Sequence, residues 1–187
     1  MYNLSKAKPL SEPFPVAACV SGVELDRVEF VEDNGNEYLD FYFKVGDKYS
    51  LRDRRFPVKK DNLRMMQRDG ETLVQTEERL IAESGRVFHH IASKFATEDE
   101  IDAIQGENFK EFCTAYCKLI NGNCSGVKLY MKTILNKSGY VAAPKAGRFL
   151  QNESDGVCTL SYTKKELELI DNATRKEGIT VDADDSV

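Results

Sequence analysis

Alternation of apolar and polar side chains over residues 37–56 constrains the fold more than any other feature of this chain. In the segment EYLDFYFKV, Leu39 and Phe41 share one parity, and Tyr38 and Tyr42 share the other. Successive side chains of a β-strand point to opposite faces, so one parity is predicted to line a core and the other an outer surface. After a glycine–aspartate turn, the segment KYSLRDRRF continues the alternation with serine and arginines on one parity. We therefore predict two antiparallel strands joined by a tight turn.

A further strand is predicted immediately before this pair, over residues 18–32. Val23 and Val28 are both apolar but have opposite parity. We therefore expect a β-bulge near Asp26 and Arg27, where one extra residue restores the inward direction. The DNGN sequence that follows predicts a hairpin turn, because asparagine and glycine adopt the positive φ angles that two-residue turns require.

Downstream of these strands the apolar spacing changes to three and four residues, which predicts helices and then a second hairpin. The predicted helices cover residues 75–95, 98–104 and 109–120, and the predicted later strands cover residues 126–135 and 140–144. Two capping-box patterns, Thr97 with Glu100 and Thr163 with Glu166, indicate where a helix begins. The second pattern predicts a helix near the C-terminus, and residues 145–161 before it are predicted to be irregular.

Three strands, a helical connection and two strands is the element order of the OB-fold, a five-stranded and partly open Greek-key barrel. We therefore expect an α+β protein: a five-stranded OB-like antiparallel barrel with a helical insertion between strands three and four and a flexible acidic C-terminal tail. The expected organisation is an N-terminal arm (1–17), an OB-like domain (18–150) with its insertion at about 58–122, and a C-terminal segment (151–187) with a short helix and the tail.

Positive charge is concentrated in two basic islands. Residues 44–68 hold 9 basic and 3 acidic side chains, and residues 126–148 hold 5 basic and none acidic. The chain of 187 residues nevertheless has a net charge of −5. Attraction of the whole molecule to a polyanion is therefore excluded, and any nucleic-acid contact must lie on a local surface.

The sequence carries no sign of export or membrane insertion. Its N-terminal stretch lacks a long apolar core, and no segment approaches the roughly 20 apolar residues of a membrane span. The five cysteines are an odd number with no evident disulfide framework. We therefore expect no signal peptide, no membrane contact and a cytoplasmic, reducing location.

The outward parity of the predicted strands combines aromatic rings with cations, as single-stranded nucleic-acid binding requires. Rings stack on bases for about 1–3 kcal/mol each with little sequence preference, and cations neutralise phosphates. The predicted stacking residues are Tyr38, Tyr42, Tyr130 and Tyr140, and the predicted phosphate contacts are Lys44, Lys48, Arg52, Arg54, Lys128, Lys132 and Lys137. An ordinary solvated strand surface is the competing interpretation, because tyrosine favours strands and charges protect sheet edges.

The C-terminal sequence ITVDADDSV is acidic and is predicted to be disordered. Its carboxylates are expected to compete for the basic surface or to dock on basic pockets of replication or recombination proteins. A solvated terminus without a function is the alternative. The candidate partner-binding residues are Asp182, Asp184 and Asp185.

No catalytic or metal-binding motif stands out. Cys113, Cys117 and Cys124, with His89 and His90, lack the spacing of a zinc ribbon or finger, and buried cysteine is ordinary packing. The chain has no P-loop, no nucleotide-binding glycine fingerprint and no nucleophile elbow. We therefore expect no cofactor, no metal and no catalytic residue.

Three segments resemble a group of phage-encoded single-stranded DNA-binding proteins: GVELDRVEFVEDNGNEYLDFYFK, NFKEFCTAYCKLI and GVKLYMKTILNKSGYVAAPKAGRFL. The resemblance spans about residues 18–150. It implies an OB-like barrel with a helical insertion, and a role in coating single strands during DNA replication or recombination in an infected bacterium. It also implies DNA contacts on the face of strands two and three and at Lys128, Tyr130, Lys132, Lys137 and Tyr140.

Two alternatives stay open at the level of sequence. One is a virion structural or assembly protein that uses an OB-like barrel as a protein-binding scaffold, since a fold does not determine its ligand. The other is a phage enzyme or host inhibitor whose active surface lies in the helical insertion. Strong salt dependence favours DNA binding over an apolar assembly contact, and a cleft of converging polar groups in the insertion favours the enzyme.

Overall fold

The computed structural model describes residues 18–136 and 138–177, so the expected N-terminal arm and acidic tail lie outside the described residues. The strands are β1 (Cys19–Asp33), β2 (Asn36–Val45), β3 (Tyr49–Arg55), β4 (Leu129–Lys132), β5 (Ile134–Leu135), β6 (Val141–Ala142) and β7 (Leu150–Asn152). The helices are α1 (Leu63–Met66), α2 (Leu73–Ala92), α3 (Glu98–Asp102), α4 (Phe109–Asn123) and α5 (Lys164–Glu177). Within those ranges no helix has the length and apolar character needed to cross a membrane.

Five antiparallel strands form the main sheet in the order β3-β2-β1-β4-β7, and β5 and β6 form a separate pair. The predicted α+β class and the first three strands are confirmed. Asn34 and Gly35, at φ 49° and 75°, make the tight turn between β1 and β2 that the DNGN motif predicts. The helices begin close to their predicted positions, and both predicted capping boxes are present.

The predicted bulge in β1 is confirmed. Leu25 lies opposite Phe43, whereas Arg27 lies opposite Tyr42, so Asp26 is the extra residue. The extra residue reverses the parity of β1. Apolar side chains on both sides of the bulge therefore point to the same core, and Arg27 points to the outer face.

Helices α2 and α4 pack on one face of the sheet, and aromatic rings form the centre of this core. The Phe41 ring lies 6.4 Å from that of Phe88 in α2 and 6.1 Å from that of Tyr116 in α4. The buried Tyr116 hydroxyl donates a 2.9 Å hydrogen bond to the Phe88 carbonyl oxygen, so it is satisfied. Burying each such side chain contributes about 1.5–3 kcal/mol, which holds the helices against the sheet.

The main sheet is open. Its edges are β3 and β7, and among the described residues no ladder joins them. Arg55, at the end of β3, instead donates hydrogen bonds to the carbonyl oxygens of Pro144 and Lys145, at 2.8 and 3.1 Å. Arg55 thereby ties the end of β3 to the segment that follows β6 through a side chain. The predicted OB-like barrel is not confirmed.

The last strands differ from the prediction. Strand β4 is shorter than the predicted 126–135, and the predicted strand at 140–144 contributes only β6, outside the main sheet. The fifth strand is β7, in a segment predicted to be irregular, where Leu150 lies opposite Met131. A strand of three residues is too short to show an alternating pattern.

A C-terminal strap, defined as residues 157–166, packs against β4. Cys158 of the strap forms a disulfide with Cys19 of β1, and the Tyr162 hydroxyl donates a 2.9 Å hydrogen bond to the carbonyl oxygen of Thr133. The five cysteines therefore include a disulfide pair that was not evident from the sequence. The two cysteines lie 139 residues apart in the sequence, so no local cysteine spacing indicates that they pair.

Candidate nucleic-acid interface

The outer face of β1, β2 and β3 places tyrosine rings beside guanidinium groups. The Arg27 guanidinium carbon lies 3.8 Å from the centre of the Tyr42 ring, and that of Arg54 lies 3.7 Å from the centre of the Tyr38 ring. Such cation–π contacts contribute roughly 0.5–1 kcal/mol at exposed sites. They fix the positions of rings and cations on the sheet before any ligand arrives.

Tyr38 does not present a ring for stacking, so this prediction is wrong. Its side chain is 6% exposed, because Arg54 covers the ring and Phe56 lies 5.5 Å away. Tyr42 is half-buried, and burial together with a hydrogen bond to Glu29 raises its pKa. Because the Arg27 side chain above Tyr42 is 46% exposed, an incoming planar group meets the Arg27–Tyr42 pair.

Carboxylates neutralise most of the cations on this face. Among the predicted cations of this face that form an ion pair, Arg52 has the most exposed side chain, at 56%. Its guanidinium nitrogen lies 4.0 Å from a carboxylate oxygen of Asp40. The closer pairs are Lys44–Asp26, Arg27–Asp26, Arg27–Glu29 and Arg54–Asp40. The face is therefore close to charge balance, and stacking is its main contribution to binding a nucleic acid.

A sheet-face concavity of about 860 Å³ lies beside the turn between β2 and β3. Its lining includes Arg27, Tyr42, Lys44, Tyr49 and Arg52. The Lys48 ammonium lies at its margin, 4.8 Å from the centre of the Tyr49 ring. Three predicted site residues, Tyr42, Lys44 and Arg52, therefore line one cavity.

Lys132, at the end of β4, does not face solvent as predicted. Lys132 is 3% exposed, and its ammonium donates to the Ser161 carbonyl oxygen and to Glu166, both at 2.9 Å. The prediction that Lys132 contacts phosphate is therefore wrong, because the strap buries it in an internal ion pair. Lys128 remains exposed but pairs with Glu24.

The remaining predicted residues stay apart from the sheet-face concavity. Tyr130 is half-buried on β4. Tyr140 is 72% exposed in the turn between β5 and β6. It lines neither the sheet-face concavity nor the second concavity, which is described next. Four predicted residues lie outside the described residues, and their roles stay predictions: Lys137, Asp182, Asp184 and Asp185.

A second concavity, the basic groove, lies at the end of β3 and has a volume of about 750 Å³. Phe56, which is 48% exposed, forms part of its wall. Its cationic lining consists of Arg54, Arg55, Arg86, Lys145 and Arg148. The first two belong to one basic island, the last two belong to the other, and Arg86 comes from α2. The fold therefore joins the two basic islands in one groove.

Positive charge in this groove is incompletely neutralised. Asp53, which is 3% exposed, accepts hydrogen bonds from Arg55 at 2.6 Å and from Lys145 at 3.0 Å, so one carboxylate serves two cations. Arg86 and Arg148 are exposed, and neither has an ion-pair partner within 18–136 and 138–177. These two guanidinium groups are therefore available to an anion.

His90 holds the loop that forms one wall of the groove. Its Nε2 accepts hydrogen bonds from the backbone N–H groups of Phe149 and Leu150, both at 3.2 Å. Burial, together with the nearby charges of Lys94 and Arg148, lowers the pKa of His90 to about 4. The imidazole is therefore neutral at pH 7, as an accepting Nε2 requires.

The cysteines of α4 have the buried character expected of packing residues. Cys113 is fully buried and Cys117 is half-buried. Burial raises the pKa of both thiols, that of Cys117 to about 11, so neither is a thiolate at neutral pH. In the part of the chain that the structure describes, no three His, Cys, Asp or Glu side chains are grouped to hold a metal ion.

Sequence reasoning missed most of the groove. Lys145 and Arg148 were visible as charges of the second basic island, but their segment has no regular pattern to give them a direction. Arg86 lies on an amphipathic helix in which many exposed positions are charged. Arg27 could have been predicted as a residue of the outer face, because the predicted bulge turns this side chain to that face.

Comparison with known proteins adds no assignment: no protein family, curated protein or solved structure matches this chain. The resemblance to phage single-stranded DNA-binding proteins therefore stays a prediction.

Proposed function

We propose that this chain binds single-stranded DNA stoichiometrically, without catalysis, along β3. The observation that carries the proposal is that β3 connects the two concavities. Arg52 lines the sheet-face concavity, and Arg54 lines the basic groove. Residues two apart on a strand share a face and lie about 7 Å apart, so ring-bearing and cation-rich surfaces adjoin.

Each surface supplies an interaction that a single strand needs. Unpaired bases stack on aromatic rings and on arginine planes, which the Arg27–Tyr42 pair and Phe56 offer. Cations follow the phosphates and release counterions. A duplex keeps its bases stacked inside, so it gains only the second interaction. Preference for single strands follows from this difference.

The proposed biological setting is phage DNA replication or recombination in the host cytoplasm, as the resemblance implies. The protein would coat and protect single strands, and the acidic tail would dock on replication or recombination proteins. The meander of β1 to β3, the helices that follow, and the bulged β1 that pairs with both β2 and β4 support an OB-like origin of the open sheet. In a reducing cytoplasm the Cys19–Cys158 disulfide would be exposed to thiol reductants.

A second candidate function, a scaffold in virion assembly, is favoured by one observation. Large apolar side chains are exposed on α1 and at the start of α2, where Met65 is 81%, Met66 54% and Val74 64% exposed. Exposed apolar patches mark protein contacts, and methionine adapts to varied partners. An apolar contact would change little with ionic strength, whereas the proposed DNA contact weakens with salt.

Substitution of the proposed stacking pair tests the DNA-binding proposal. Tyr42→Ala is expected to weaken binding of a labelled oligo-dT by about 5- to 150-fold, the equivalent of one stacked base. The control is Met65→Ala, which removes an exposed apolar side chain that lines neither concavity. Fluorescence anisotropy measures both affinities. Equal affinities for Tyr42→Ala and the wild type would reject the proposed face.

A further inference from the structure

We infer that the basic groove holds the phosphodiester backbone of the bound strand, while the sheet face holds its bases. The inference rests on the proposed single-strand binding and assigns separate roles to the two surfaces. The sequence identifies the two basic islands, and the fold brings cations of both together with Arg86 in this groove.

The balance of charge distinguishes the two surfaces. On the sheet face, Asp26, Glu29 and Asp40 offset the cations. In the groove, Asp53 alone offsets Arg55 and Lys145. The acidic side chain of the lining is Glu83, which already pairs with Arg68 at 3.2 Å and is 3.3 Å from Arg79, so Arg86 and Arg148 are not offset. A polyanion therefore meets an excess of positive charge in the groove and near neutrality on the face.

The groove is also held in shape before a ligand binds. Arg55 ties the end of β3 to the carbonyl oxygens of Pro144 and Lys145. His90 of α2 ties the other end of the same loop through two backbone hydrogen bonds. Three walls, from β3, from α2 and from this loop, are thereby fixed relative to one another. Preorganised cations lose less conformational entropy when they bind an anion.

The available guanidinium groups suit phosphate oxygens. Arg86 projects from α2 and Arg148 from the loop, so they approach the groove from two different walls. A guanidinium presents a planar fork of N–H donors that matches two phosphate oxygens at once.

The test separates phosphate contacts from stacking through the salt dependence of binding. For a single strand, log K falls with log salt by about 0.7 for each neutralised phosphate. The groove variant is Arg86→Gln with Arg148→Gln, which leaves no known carboxylate without its partner. The charge-matched control is Lys118→Gln with Lys165→Gln, two exposed lysines that line neither concavity. Unfolding midpoints check that all variants fold.

The groove variant is expected to have a salt slope smaller by about 1.4. Its affinity for oligo-dT would then fall ~7-fold less than that of the wild type between 50 and 200 mM salt. The control pair should keep the wild-type slope, and Tyr42→Ala should bind more weakly at every salt concentration with an unchanged slope. Arg86→Lys with Arg148→Lys should restore most of the slope, because it restores the charge.

Each contrary result has a distinct meaning. If the groove variant keeps the wild-type slope while Tyr42→Ala weakens binding, the strand lies on the sheet face and the groove assignment is wrong. If the control pair loses as much slope as the groove variant, only total charge matters and the assignment is again wrong. If the wild type binds no oligo-dT, the proposed function itself fails and the groove assignment fails with it.

Discussion

Arg54 donates two hydrogen bonds, at 2.9 and 3.0 Å, to the carboxylate of Asp40 on the outer face of the sheet. Asp40 is 1% exposed, so this carboxylate depends on its arginine partners for the charge compensation that water would otherwise provide. The same guanidinium lines the basic groove. Arg54 therefore has a structural role in addition to the predicted phosphate contact.

Arg54→Ala is expected to destabilise the fold more than Arg52→Ala. The first change leaves the buried Asp40 carboxylate with only Arg52, whose guanidinium lies 4.0 Å away. The second change leaves both close hydrogen bonds of Asp40 in place. Urea denaturation measures the difference as a lower unfolding midpoint for Arg54→Ala. Equal midpoints for the two variants would show that Asp40 does not need its close partner.

Gly106 is expected to be intolerant of any side chain. A Cβ atom at this position would lie 2.3 Å from the backbone nitrogen of Phe112 in α4. Gly106→Ala should therefore lower the free energy of unfolding by about 1–3 kcal/mol, the usual cost of overpacking. Gly122→Ala is the matched control, because its Cβ would meet no atom within 4 Å and alanine favours a helix. A neutral Gly106→Ala would mean that the α4 N-terminus shifts freely.

His90 predicts a specific dependence of stability on pH. Its pKa of about 4 in the folded protein lies below the ordinary 6.5, so the unfolded chain binds more protons at this position between those values. The free energy of unfolding should therefore fall as the pH falls from 6.5 towards 4, and this contribution is fully present above pH 6.5. His90→Gln removes the titrating group and should flatten the curve in this window. Denaturant unfolding at several pH values measures it, and identical slopes for both proteins would contradict the assignment.

The Cys19–Cys158 disulfide predicts the state of the thiols and the behaviour of the strap. In denatured but unreduced protein, iodoacetamide should label the three free cysteines, Cys113, Cys117 and Cys124. Reduction should increase protease cleavage within residues 157–166, because the covalent tie to β1 is lost, while the sheet stays resistant. Cys19→Ser should show the same cleavage without reductant. Labelling of all five cysteines, detected by mass spectrometry, would show that the disulfide does not form.

The parts of the fold that were predictable depend on local patterns. Asn34 and Gly35 adopt the positive φ angles that a tight turn requires, and the change of parity between Val23 and Val28 requires a bulge. The first three strands can therefore be predicted from short stretches of sequence. Strand β7 has only three residues and owes its place to pairing with β4, a contact no local pattern predicts. Closure of the barrel was likewise a long-range expectation, and in the described residues no ladder joins β3 to β7.

The site was predictable in direction but not in accessibility. The alternation of side chains correctly places Tyr38 on the outer face of β2 and Lys132 on the outer face of β4. Their burial comes from Arg54 and Phe56 in one case and from the strap in the other. Coverage of this kind depends on side chains brought in by tertiary structure. The basic groove was hidden for the same reason, because its cations come from three separate segments.

Titration of the wild-type protein into labelled oligo-dT of about 35 nucleotides is the direct test of single-strand binding. The measurement is fluorescence anisotropy at low and moderate salt, with unlabelled duplex DNA as competitor. The account predicts tight binding that weakens with salt and that duplex DNA does not displace. Absence of binding at low salt, or displacement by an equal concentration of duplex, would contradict single-strand binding. Absence of binding would favour the assembly scaffold suggested by Met65 and Val74, whereas displacement would show that the protein binds duplex DNA as well.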